Sequence, residues 1–131
     1  MVEADTLLSW PSLSSLDLGH NYIEFVSESV LANSTGLTNL RMRNNQMSHR
    51  PSSLLASLPL MELDLASSSL SSIPASLFDR HINLERLDLS GSHLVASGLP
   101  TSLTSDLHNL LSLSLCFNKL TNLPTELTGP L

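Results

Sequence analysis

The sequence predicts an α/β solenoid: a coil of similar turns, each giving one short strand to a parallel sheet on the concave side. The convex side is expected to be mostly irregular or 3-10. Three observations carry this. Five segments place leucine-like residues at positions 1, 4, 6 and 11, with Asn or Ser at position 9. They start at residues 13, 37, 60, 84 and 110, so the intervals are 24, 23, 24 and 26 residues. Around positions 4 and 6 apolar and polar residues alternate with period two, the pattern of a strand with one buried face. Between these segments stand Pro51, Pro74, Pro100 and Pro124, which disfavour long helices and point to extended, turn or 3-10 structure.

Taken in chain order, residues 1–12 read as a partial preceding repeat or N-terminal edge, ending in Thr6-Leu7-Leu8-Ser9-Trp10. Glu3 and Asp5 stand where a secretory signal would be basic, and the apolar stretch ends at Pro11. Residues 13–131 read as repeats, the last incomplete. The first runs Leu13, Leu16, Leu18, Asn21, Ile23, and the second Leu37, Leu40, Met42, Asn45, Met47. The third and fourth are Leu60, Leu63, Leu65, Ser68, Leu70 and Leu84, Leu87, Leu89, Ser92, Leu94. Leu110, Leu113, Leu115, Asn118 and Leu120 make the fifth. An asparagine amide both donates and accepts, so it can tie neighbouring backbone groups in a tight turn; serine offers a shorter hydroxyl. Weaker turns are therefore expected at Ser68 and Ser92 than at Asn21, Asn45 and Asn118. With 31 leucines and 24 serines among 131 residues and only 4% aromatics, thin layers filled by one medium-sized side chain explain the composition.

These spacings resemble the leucine-rich-repeat family, over residues 13 to about 127. Ile73-Pro74-Ala75-Ser76-Leu77-Phe78 reproduces the continuation of the family's longer repeat. Leu99-Pro100-Thr101-Ser102-Leu103 and Leu123-Pro124-Thr125-Glu126-Leu127 match it in part. Ser68 and Ser92 depart from the motif asparagine, and His81 stands at a usually apolar place. The resemblance implies a horseshoe-like, right-handed superhelix that serves as a non-catalytic protein-binding module. It also leans toward an extracellular setting within a longer chain. The alternative is an interior segment of a longer receptor or enzyme, or a scaffold that self-associates through uncapped ends; the cysteine clusters of secreted caps are absent.

Other classes lack their signals. A net charge of −6, with six cationic residues, leaves no basic footprint for nucleic acid, and no 18-residue apolar window suits a membrane span. One cysteine permits no internal disulfide. The five histidines share no metal-ligand spacing, no nucleophile elbow or phosphate loop occurs, and neither catalytic residues nor a cofactor is expected. Asn33-Ser34-Thr35 is a glycosylation sequon. On the strand face, position 5 forms the column Asp17, Arg41, Asp64, Asp88, Ser114, and position 3 gives Ser15, Asn39, Glu62, Arg86, Ser112. Arg41 is expected to compensate Asp17 and Asp64, and Arg86 to compensate Glu62, while Asp64 and Asp88 are like charges side by side. In the last repeat Leu111, Cys116 and Phe117 put less polar groups where earlier repeats are polar. The candidate contact residues for a partner protein are Arg41, Arg43, Asn44, Glu62, Asp64, Glu85, Arg86, Asp88 and Phe117. Binding there would be polar and electrostatically steered.

Overall fold

Each leucine-spaced segment forms one three-residue strand: β1 Ser15–Asp17, β2 Asn39–Arg41, β3 Glu62–Asp64, β4 Arg86–Asp88 and β5 Ser112–Ser114. The computed structural model describes residues 10–24, 31, 34–47, 58–73, 83–100, 103 and 107–123. The strands lie side by side in chain order in one parallel sheet. Their register pairs equal repeat positions throughout, Leu16 on Leu40, Leu63 and Leu87 in turn, then Leu113. Beyond the strands the ladder continues in a repeating way. The position-6 and position-8 N–H groups donate to the next repeat's position-5 and position-7 carbonyls, as Leu18 to Arg41 and His20 to Arg43, both at 2.8 Å.

The core is one stack of layers. The middle repeats bury every motif apolar residue: Leu37, Leu40, Met42 and Met47, then Leu60, Leu63, Leu65 and Leu70, then Leu84, Leu87, Leu89 and Leu94. In the outer repeats Leu13, Leu16, Leu18, Leu110, Leu113, Leu115 and Leu120 are only partly buried against that stack. The same residue types differ in burial because a layer is covered only by its neighbours. A leucine fully removed from water contributes about 1.5–3 kcal/mol, so the central layers carry most of the apolar stabilisation.

Leu31, Leu58, Ile73, Leu99, Leu103 and Leu107 close the core from the return side. A 3-10 turn at Ala96–Gly98 lies on that side. Gly98 packs against the preceding return segment: a Cβ on it would lie 2.5 Å from the Ser71 carbonyl oxygen, and its own carbonyl accepts from the Ile73 N–H at 2.8 Å. The partial repeat expected before residue 10, the segment from Pro74 to Phe78, Pro51, His49, His81, Asn33 and the chain from Pro124 onward lie outside the described residues.

Candidate protein-binding face

Every strand ends in the same bend, and that bend shapes the edge of the sheet face. Position 8 takes positive φ in all five repeats: His20 (59°), Asn44 (59°), Ser67 (54°), Gly91 (66°) and Phe117 (56°). Left-handed backbone costs a non-glycine residue about 1–2 kcal/mol, so only Gly91 adopts it freely. Beneath the bend sit the position-9 side chains. Asn45 accepts the Ile23 N–H at 3.0 Å and donates to the carbonyls of Leu18 (2.9 Å) and Met42 (3.0 Å). Asn118 does the same one end further on, accepting from Ser92 and Leu94 and donating to Leu89 and Leu115, all within 2.9–3.1 Å. Ser68 Oγ reaches the Met42 and Ala66 carbonyls only at 3.4 Å, and Ser92 Oγ accepts the Ser68 N–H at 3.4 Å. The weaker serine turns expected from the sequence thus have longer bonds. Asn21, in the first repeat, is exposed and, among the described residues, holds its own turn, at the Leu18 and Gly19 carbonyls.

A second repeated device escaped the sequence reading. The position-5 aspartates accept the N–H two residues on: Asp17 from Gly19 (2.9 Å), Asp64 from Ala66 (3.0 Å) and Asp88 from Ser90 (2.9 Å). One oxygen of each carboxylate therefore fixes the strand end, and only the other is free for ion pairing. The shared Asp-Leu-x spacing at 17–19, 64–66 and 88–90 was the available signal.

Charge pairing departs from expectation at one place. Arg41 makes no ion pair with the described residues. The cation that bridges the acidic column is Arg43, whose Nε lies 3.0 Å from Asp64 Oδ2 and whose Nη2 lies 3.2 Å from Asp88 Oδ2. The reason is the bend: position 7 lies just past the strand end, and there its side chain spans two neighbouring strands. The like-charged pair Asp64 and Asp88 is thus clamped by one guanidinium. The expected pairing of Arg86 with Glu62 is present at 3.4 Å. All these groups keep contact with water, where ion pairs are worth little individually.

The sheet face brings Arg41, Glu62, Asp64, Arg86 and Asp88 together around one hollow, with Ser112 and Ser114 at its far side. A neighbouring hollow is lined by Asp17, Gly19, His20, Arg41, Arg43 and Asp64. Glu85 does not join them; it lines a separate groove with Met61 and Leu111 at the start of the strands. The Asn44 amide is 2.8 Å from His20 Nδ1 and so is occupied within its own column. Phe117 stands apart on the last bend, 88% exposed, with Leu111 77% exposed in the same repeat. Trp10, at the other end, is 45% exposed. Among the described residues no three His, Cys, Asp or Glu side chains are grouped to hold a metal ion, and no helix is long and apolar enough to cross a membrane.

One strand per turn, in-register leucine layers and a position-9 ladder define a leucine-rich-repeat solenoid, and this chain belongs to the leucine-rich-repeat family. Two models of that family match, one over residues 1–47 and one over residues 83–106. The chain is 37% identical over 117 residues to rabbit lumican, covering 87% of this chain and 58% of lumican. A leucine-rich-repeat protein of Leptospira interrogans has a similar structure, with TM-score 0.78 and 31% identity over 92% of this chain and 29% of that one. A chain of the Drosophila Toll–Spatzle complex is also similar, with TM-score 0.69 and 26% identity over 91% of this chain and 19% of that one. The chain spans between 23% and 58% of the length of such curated relatives as human podocan-like protein 1 and rabbit lumican.

Proposed function

We propose that the chain is a non-catalytic module that recognises a partner protein through the sheet face, with Arg41, Arg43, Glu62, Asp64, Arg86 and Asp88 at its centre. The observation that carries this reading is the convergence of five of them on one hollow, presented from paired strands rather than from loops. Rigid placement lowers the ordering cost of binding, and an open face suits a protein surface better than a reacting small molecule, which needs water excluded. Phe117 would add an apolar contact at the rim, since exposed aromatics serve as interface anchors. Asn44 and Glu85 are peripheral in this reading, because one is held by His20 and the other lies in the separate groove. Similarity to lumican supports an extracellular setting within a longer chain, and similarity to a chain of the Toll–Spatzle complex supports a protein partner.

The test replaces both Asp64 and Asp88 by Asn, which keeps the oxygen that accepts the Ala66 and Ser90 N–H groups and removes the charge and the second oxygen that accepts from Arg43. Screening the chain against an array of extracellular proteins supplies candidate partners. The double variant is expected to bind them more weakly, and the wild-type on-rate is expected to fall as salt rises. Unchanged affinity would remove these residues from the contact surface.

A second reading, end-to-end self-association, draws on the exposure of Leu111 and Phe117 in the last repeat. Light scattering decides it: a mass that stays at one chain across concentrations rejects it.

A further inference from the structure

The sheet face carries an uneven charge map once its internal pairs are set aside. Glu62 and Arg86 neutralise each other across β3 and β4. Arg43 serves two carboxylates, Asp64 and Asp88, so one negative charge remains on this pair, apart from Glu85 in its separate groove. Asp88 is the more open of the two, with 30% of its side chain exposed against 19% for Asp64, and its other in-register neighbour is the uncharged Ser114. Arg41 has no carboxylate within ion-pair distance among the described residues, is exposed, and lines both hollows. Asp17, its neighbour on β1, lines only the hollow on the far side and has one oxygen occupied by the Gly19 N–H. The hollow shared by Arg41 and Asp88 therefore has a positive end on β2 and a negative end on β4. Two inter-strand steps separate them, about 10 Å.

We propose that this hollow binds a protein segment presenting a carboxylate to Arg41 and a basic side chain to Asp88, in that direction along the solenoid. The proposal rests on the sheet face being the contact surface and adds the chemistry and polarity of what it accepts. A partner of the opposite polarity meets like charge at both ends, and juxtaposed like charges are how interfaces reject wrong partners. A purely basic segment satisfies Asp88 but is repelled by Arg41, and a purely acidic one meets the reverse.

A displayed library of random linear peptides, selected on the wild-type chain, tests this. Selected peptides are expected to carry both an acidic and a basic residue. Their affinity should fall at least about tenfold on Arg41→Glu, a loss of about 1.4 kcal/mol, and return when the peptide's acidic residue becomes Lys. A fall is likewise expected on Asp88→Asn, which keeps the acceptor oxygen for the Ser90 N–H and so leaves the strand end intact. Arg41→Glu sets a carboxylate in register between Asp17 and Asp64, which costs some stability. Recovery of affinity with the Lys peptide on the folded variant is what assigns the loss to binding. A third variant, Ser112→Trp, fills the hollow by bulk without changing charge. Peptides insensitive to both charge variants but lost on Ser112→Trp overturn the proposed polarity while leaving the face as the contact surface. Peptides insensitive to all three, or a selection that yields no binder, overturn both.

Discussion

Asn45 and Ser68 occupy the same place in consecutive repeats, yet they hold their turns differently. Asn45 ties three neighbouring backbone groups with bonds of 2.9–3.0 Å, two of them in the preceding repeat. Ser68 is just as buried but reaches its carbonyls at 3.4 Å. Asn118 and Ser92 repeat the contrast. A hydroxyl is one atom group shorter than an amide and has one proton to give, so the same bend closes with less connection between layers. The solenoid is thus tied tightly in repeats 2 and 5 and more loosely between repeats 3 and 4. Burial and hydrogen bonding are distributed unequally along the stack: repeat 2 has both in full, repeats 3 and 4 have buried leucines over longer bonds, and repeat 5 has short bonds over partly exposed leucines.

The contrast breaks first at Asn45. Asn45→Ala leaves the Ile23 N–H and the Leu18 and Met42 carbonyls without their partner, and is expected to lower unfolding free energy by about 3 kcal/mol, measured by urea denaturation. Gly91 tests the bend itself. In Gly91→Ala a Cβ would sit 2.8 Å from Ser67 Oγ at a φ of +66°, and a loss of about 2 kcal/mol is expected in the same assay. Phe117 stands at the equivalent place with φ 56°, so Phe117→Gly should act in the opposite sense and stabilise by about 1 kcal/mol. If Phe117 is a rim contact, that gain comes with weaker partner binding, and the two readouts together separate strain held for function from strain without use. The smallest effect belongs to Ser68→Ala, below about 1 kcal/mol. A cost there equal to that of Asn45→Ala would erase the distinction between the two kinds of turn.

Much of the fold was legible because the core is periodic. Leucine at positions 1, 4, 6 and 11 has only one way to be buried on a 23–26-residue period, and the observed register pairs those positions one to one. The columns of the sheet face followed from that register, so the grouping of Arg41, Glu62, Asp64, Arg86 and Asp88 was visible in advance. What those side chains do with one another was not. Column neighbours suggested that Arg41 compensates the acidic groups, whereas the bend at each strand end places Arg43 between Asp64 and Asp88. Nor did spacing reveal that the aspartates cap the strand ends, that Asn44 is engaged by His20, or that Glu85 turns to another groove.

By itself the sequence determined the number of layers, their order and which residues line the core, because burying a regularly spaced leucine depends only on the neighbours above and below. Only the tertiary structure decided which charges are spent on each other and which remain for a partner. That outcome depends on where a left-handed bend aims side chains a few ångströms beyond each strand, and five different residues at position 8, only one of them glycine, make the same bend. Leucine spacing sets the stack, but the direction of a guanidinium is set by backbone geometry that the residues themselves do not announce.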